Sequence, residues 1–270
     1  MPISVAKAAE AAGRSVHVVA LYDTARKEIE AFPHTWVSLG EIGRMLKILK
    51  KNECKQLAIV GSVHRPDVST LRLDMGVFTN LPVILNLTRG GDNSILTAIV
   101  SFFEKKGFEV VGAHEVARDL LVESGPIGRH RPGKKDRKDI AIGLKVVTRL
   151  GELDVGQAAV VASEYVLAVE AAEGTDRMLA RCKELRQWGM DRKNKRTGVF
   201  VKCAKPGQER RIDLPAIGPN TVRGAIDAGL SGLALAVDDV MLADREELVK
   251  LADEAGLFIV GVDPAAQAKE

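Results

Sequence analysis

LGEIGRMLKILKKNECKQLAIVGSV, residues 39–63, carries two periodicities back to back. Ile42, Met45, Leu46 and Leu49 recur three and four residues apart, which predicts an amphipathic helix over 39–53. LAIVGSV (57–63) is a short continuous apolar run bounded by turn residues, the pattern of a strand buried on both faces. A helix feeding into such a strand is the unit of a parallel α/β sheet. The alternation extends outward. VHVVAL (16–21) predicts an earlier strand, and FEVVGAH (108–114) a third. SILTAIVSFFEKKG (94–107) reads as a helix capped by Gly107. The chain opens directly in a helix, MPISVAKAAEAAGR (1–14), with Pro2 near its first turn and Gly13 near its end. A doubly wound domain begins instead with a strand and a glycine-rich turn. The expected class is therefore α/β: an N-terminal Rossmann-like parallel-sheet domain with its first strand missing, followed by a C-terminal mixed α/β domain.

ESGPIGRHRPGKKDRKD (123–139) concentrates Gly, Pro and charge and sets the boundary. This divides the chain into an N-terminal domain over 1–125, a linker over 126–138 and a C-terminal domain over 139–270. Within the last, helices are expected over 139–151, 175–189, 221–229 and 245–256. Strands are expected over 158–163, 166–171, 198–205, 211–214, 230–237 and 257–262, with a hairpin around Ser163 to Tyr165.

Composition narrows the function. The 270 residues are 46% hydrophobic but only 4% aromatic, so the core is mostly aliphatic. Net charge is +3 from 39 basic and 36 acidic residues, too mild to argue for nucleic acid. Basic residues cluster in RHRPGKKDRK (129–138) and RQWGMDRKNKR (186–196), either as solvated loops or as patches for phosphate or an anionic membrane. The cysteines, Cys54, Cys182 and Cys203, lie far apart, without metal-ligand spacing, and fit a reducing cytoplasm. No signal sequence is read. The longest apolar stretch, GLSGLALAV (229–237), falls short of the roughly 20 residues needed to span a bilayer.

In a parallel α/β sheet, ligands bind beyond the carboxyl ends of the strands. That directs attention to Tyr22-Asp23, to SVHRPD (62–67) and to RGGDN (89–93), where Gly90 and Gly91 allow close backbone approach ahead of a helix N-terminus. A plain capping turn with Asp92 or Asn93 as N-cap accounts equally for the last. In the second half, polar residues crowd LDVGQ (153–157), AVEAAEGTD (168–176) and VKCAKPGQERRIDLPAIGPNT (201–221). Helix capping explains Thr175 and Asp176. It explains less of Glu170, which ends an apolar strand among alanines and valines and needs a partner or a cation. Carboxylates near lysines at strand ends suit divalent-metal phosphate chemistry, in which oxygen ligands hold Mg²⁺ and a lysine stabilises the phosphoryl transition state. Asp213, ahead of the rigid LPAIGP turn, is one such carboxylate; a local turn cap is the alternative. His34, His64 and His114 are scattered. GxSxG, HExxH and Walker A motifs are absent, and a nucleotide-sugar dehydrogenase or epimerase is disfavoured by the lack of GxGxxG and a Tyr-xxx-Lys pair.

HTWVSLGEIGRMLKILK (34–50), VGSVHRPD (60–67), RGGDN, LDVGQAAVV (153–161), VLAVEAAEGTDRMLARC (166–182), VKCAKPGQERRIDLPAIGPNTV (201–222) and GLFIVGV (256–262), in that order over nearly the whole chain, resemble the LpxI-type UDP-2,3-diacylglucosamine pyrophosphatases. The resemblance implies Mg²⁺-dependent hydrolysis of UDP-2,3-diacylglucosamine to UMP and 2,3-diacylglucosamine 1-phosphate (lipid X), a step of lipid A biosynthesis. Water attacks the sugar-side phosphorus, and substrate lies between a Rossmann-like and a C-terminal α/β domain. It implies that Asp213, in the family's DLPxIGP motif, is essential. Lys205 and Glu173 are assigned with it to catalysis, and Asp213, Glu170 and Asp176 to the metal. Substrate binding is assigned to Gly61, His64, Arg65, Gly90, Gly91, Asp92, Gln157, Gly174, Thr175, Lys202 and Gln208.

Such an enzyme works in the cytoplasm, peripherally at the inner-membrane surface, with a homodimer as a possible assembly. Two features depart from the family. Its opening strand and glycine-rich turn are missing ahead of Pro2, so a non-catalytic nucleotide-sugar or glycolipid binding protein is the alternative. Asn93 also stands where the family has a second aspartate.

Overall fold

Most of the predicted helices and strands recur in a computed structural model that describes residues 1–22, 24–61, 92–185 and 196–267. The chain folds into two compact units, Met1–Arg118 with Glu209–Asp213, and Asp119–Gln208 with Leu214–Glu270.

In the first unit, α1 (Pro2–Ala11) begins on Pro2 and ends ahead of Gly13, whose φ of 74° only glycine adopts easily. It leads to β1 (Val18–Leu21) and β2 (His34–Val37), which pair in parallel from Val18 opposite His34 to Leu21 opposite Val37. The helix α2 (Ile42–Lys51) lies inside the amphipathic run, with Leu49 buried and Lys50 and Lys51 in its last turn, where the helix dipole favours cations. It is entered through Glu41, whose carboxylate accepts a hydrogen bond from the Ser38 amide at 2.8 Å. Next come β3 (Gln56–Ala58), α3 (Asp92–Lys105), β4 (Glu109–Val111) and the short α4 (Ala113–Val116). β3 and β4 are also parallel. Among the described residues the strands form two parallel pairs, not one continuous sheet. The β2 strand was not foreseen, because HTWV is too short and too polar at its start to stand out from a turn.

The second unit is built on a six-stranded mixed sheet. Its strands are β5 (Gly125–Pro126), β6 (Ala158–Ala162), β7 (Tyr165–Val169), β8 (Val199–Lys202), β10 (Gly232–Ala236) and β12 (Phe258–Val262), in the order β5-β12-β10-β8-β6-β7. β8, β10 and β12 are parallel, while β5, β6 and β7 join antiparallel. β6, β8, β10 and β12 are buried at every position, which explains their apolar runs, with Lys202 at the end of β8 the exception. A short separate parallel pair joins β9 (Ala216–Ile217) and β11 (Met241–Leu242). One face is covered by α5 (Lys134–Glu152), whose Ile140, Leu144 and Val147 pack on Val199, Val201, Ala234 and Val260. At Gly143 any Cβ would collide with the Val201 side chain, so α5 lies directly on the sheet. The other face carries α6 (Gly174–Leu185), α7 (Pro219–Asp227) and α8 (Arg245–Ala255), packed on Val160, Phe200, Leu233, Leu235 and Ile259.

Several local expectations change. The helix expected at 139 starts at Lys134, since Gly133 and Asp136 close a capping arrangement five residues earlier. RIDL (211–214) is not a strand: the amides of Ile212 and Asp213 both donate to the Glu209 carbonyl and form a turn. The β6–β7 connection is a two-residue loop with Ser163 and Glu164 both at positive φ, 54° and 66°. Neither is glycine. The buried Asp139 carboxylate holds them, accepting from the Ser163 amide at 3.1 Å and the Glu164 amide at 2.7 Å. Burial raises the Asp139 carboxyl above its ordinary value, against these two hydrogen bonds.

Candidate active site

Glu170 follows β7 directly, and its amide donates to the Ala158 carbonyl. Both oxygens of its carboxylate have partners. Oε1 accepts the Thr175 hydroxyl at 2.5 Å and lies 3.6 Å from Lys202 Nζ, while Oε2 accepts the Gln157 amide at 3.3 Å. Lys202 Nζ donates to Thr175 Oγ1 at 2.8 Å. The side chains of Lys202 and Glu170 are only 4% and 8% exposed. Each charge is too costly to bury alone, so each needs the other. The cluster ties the carboxyl end of β8, the end of β7 and the first turn of α6 together. Gly156 makes it possible: a Cβ there would overlap the Glu170 carbonyl.

Two further segments lie in the same unit. Lys205-Pro206-Gly207-Gln208 is a β-turn closed by the Gln208 amide donating to the Lys205 carbonyl, with Gly207 at φ 73°. Gln208 Oε1 accepts the Lys205 amide, and Lys205 Nζ donates to Asp154 at 2.8 Å. Gln157 Oε1 and Gln208 Nε2 are buried and have no hydrogen-bond partner among the described residues. Unpaired amide groups of this kind need an explanation, and a missing polar ligand is one. On α6, Gly174 opens the helix at φ 77°, and Asp176 is exposed in the first turn. Glu173 accepts Arg181 Nη2 at 2.9 Å, and the same nitrogen donates to the Val169 carbonyl. Arg181 escaped the sequence reading because its partner is eight positions away and lies off the regular helix spacing.

Asp213 belongs to the first unit, in the segment Glu209–Asp213. Arg211 anchors that segment, donating to Glu209 at 2.8 Å through both Nε and Nη2 and to Glu104 at 2.8 Å. This pairing holds the Glu209 carboxyl below its ordinary range and the Arg211 guanidinium firmly charged. The half-buried Asp213 carboxylate accepts no hydrogen bond from the described residues. Also in this unit, burial lowers His114 below the ordinary histidine value, with Glu115 raising it and Arg210 lowering it further. Gly61 is exposed, at φ 121°. His64, Arg65, Gly90 and Gly91 lie outside the described residues, and Asp92 is the first residue of α3.

The donor set constrains a cation. Among the described residues no three His, Cys, Asp or Glu side chains converge. Mg²⁺ does not need such a cage, because it keeps waters and binds one or two carboxylates together with substrate phosphates. Asp213 in the first unit and the exposed Asp176 in the second are each a single carboxylate of the kind such an ion takes. Glu170 fits that role less well, since its buried carboxylate is already partnered by an ammonium, a hydroxyl and an amide.

The class follows from these features: a two-unit α/β protein with lysine and carboxylate side chains gathered at strand and helix ends. The family described as LpxI N-terminal domain matches residues 1–120, and that described as LpxI C-terminal domain matches residues 123–260. The chain belongs to the LpxI family. It is 40% identical over 264 residues, 98% of this chain and 94% of the other, to the UDP-2,3-diacylglucosamine pyrophosphatase LpxI of Caulobacter vibrioides.

Proposed function

We propose that the protein hydrolyses the diphosphate of UDP-2,3-diacylglucosamine, releasing UMP and 2,3-diacylglucosamine 1-phosphate in lipid A biosynthesis. The observation that carries this is the 40% identity to the Caulobacter vibrioides pyrophosphatase over 98% of the chain. Water adds its oxygen to the sugar-side phosphorus, the bond from that phosphorus to the bridging oxygen breaks, and UMP leaves with the bridging oxygen. Mg²⁺, when bound, neutralises phosphoryl charge and polarises the attacking water. Asp213, whose carboxylate is unengaged among the described residues, is the first choice to hold it. Lys205 supplies positive charge to the developing phosphoryl oxygens. Gln157 Oε1 and Gln208 Nε2 meet polar groups of the substrate, which accounts for their lack of partners among the described residues. Glu173 positions the first turn of α6 through Arg181. Lys202 and Thr175 serve through the buried cluster, and Glu170 is reassigned from metal ligand to the counter-ion of Lys202.

The parallel pairs of the first unit support a Rossmann-like arrangement, with domains over 1–125 and 139–270 and a linker between. The Gly-containing segments with Gly61, His64, Arg65, Gly90, Gly91 and Asp92 are assigned to the substrate phosphates. Peripheral association with the cytoplasmic face of the inner membrane and a homodimer complete the proposal. The test is ³¹P NMR in ¹⁸O-enriched water with UDP-2,3-diacylglucosamine, with and without Mg²⁺. UMP and lipid X should form only with the metal, with the label on the lipid X phosphate. Asp213→Ala should lower turnover at least about a hundredfold. Full turnover without metal, or an unaffected Asp213→Ala variant, overturns the corresponding assignment.

A further inference from the structure

The aromatic content of the chain is low, yet two of its rings are stacked at one strand end. Tyr22 directly follows β1, and its amide donates to the Val37 carbonyl at 3.2 Å, extending the β1–β2 pairing by one step. Ala20 lies opposite Trp36, so Tyr22, two residues on, falls on the face of Trp36. The two rings stack with centroids 5.4 Å apart and planes 21° apart, and His34 meets Trp36 edge-on. Tyr22 nevertheless remains 59% exposed. One side of its ring is supported by indole while much of the side chain faces water. The position is the carboxyl end of two parallel strands, the edge where α/β sheets bind ligands.

We propose that the Tyr22–Trp36 stack is the platform for the pyrimidine base of the uridine nucleotide. This rests on the reading of the substrate given above, in which uracil is the one flat π-system. The Tyr22–Trp36 geometry suits stacking: the ring is held from behind, costs little further ordering, and offers a face for a third deck. It also places recognition of the base in the first unit alone, on residues that take no part in the phosphoryl chemistry.

The chain has two tyrosines, Tyr22 and Tyr165, and Tyr165 lies in the second unit at the start of β7. ¹³C-tyrosine labelling therefore gives one reporter and one internal control. Titration with UMP should move the Tyr22 ring signals upfield and leave those of Tyr165 unchanged, whereas ribose 5-phosphate should move neither. Tyr22→Phe should keep the UMP affinity and Tyr22→Ala should weaken it about tenfold. The KM for UDP-2,3-diacylglucosamine should rise by a similar factor in Tyr22→Ala with kcat little changed. Hydrolysis with unmoved Tyr22 signals and an unchanged KM in Tyr22→Ala overturns the platform and leaves the proposed activity standing. UMP-dependent Tyr22 shifts without hydrolysis support the platform and overturn the activity. Equal shifts with ribose 5-phosphate also overturn it, because the phosphate would then be what is sensed.

Discussion

Glu170 shows how much one side chain's partners change its meaning. With Lys202 and Thr175 around it, it is half of a buried ion pair, and removing either half takes from the other its partner in that pair. Glu170→Gln and Lys202→Met should each destabilise by about 3–5 kcal/mol, and the double variant by clearly less than their sum. Urea unfolding checks this. Additive losses would mean the two side chains are independent. His114 is the second residue-scale case. Burial favours its neutral form in the fold, so its contribution to stability is complete above the ordinary value of 6.5. That contribution is lost as pH falls through the depressed value of the folded state. Thermal melting points should drop on acidification from pH 7, and His114→Asn should flatten the drop; an unchanged slope would remove His114 as its source.

At the scale of elements, α5 holds the second unit together through closeness of approach. Gly143 lets the helix rest on Val201, and Asp139 on the same helix fastens the β6–β7 loop. Gly143→Ala raises helix propensity yet should cost about 1–3 kcal/mol, because the added methyl overpacks the interface. A gain in thermal stability would show that the helix can simply shift outward. The same helix starts with exposed Lys134, Lys135, Arg137 and Lys138, where the helix dipole disfavours cations. Lys138 pairs with Glu164 of the β6–β7 loop at 2.8 Å, whereas helix formation does not account for the cations at 134, 135 and 137.

Those cations bear on the whole molecule. No described helix is long and apolar enough to cross a membrane. Each cation near an anionic surface contributes about 1 kcal/mol. Reversing Lys134, Lys135 and Arg137 to Glu should therefore lower binding to phosphatidylglycerol vesicles about a hundredfold or more, while leaving the melting point equal or higher. Co-sedimentation at low and high salt measures it, and unaltered binding would exclude this surface. The two-unit organisation has its own consequence. Glu209–Asp213 follows the KPGQ turn in sequence but belongs with the first unit, where Arg211 pairs with Glu104.

Periodicity alone revealed α2, α3, the buried strands of the second unit and α8, because long apolar patterns record which face is buried. The order of the EGTD, KPGQ and DLPxIGP segments pointed to the family, and the match of both its domains bears that out. Local pattern missed whatever depends on a distant partner. RIDL looks like a strand until the Glu209 carbonyl and the Arg211 ion pairs turn it. Ser163 and Glu164 take up a conformation disfavoured for both because Asp139, 24 and 25 positions away, supplies the acceptors. Glu170 demanded a partner on grounds of burial alone, and its sequence position left open whether that partner was a metal or a protein cation. Only the tertiary structure brought Lys202 within 3.6 Å, since a charge's partner is set by three-dimensional proximity and desolvation, which no spacing along the chain records.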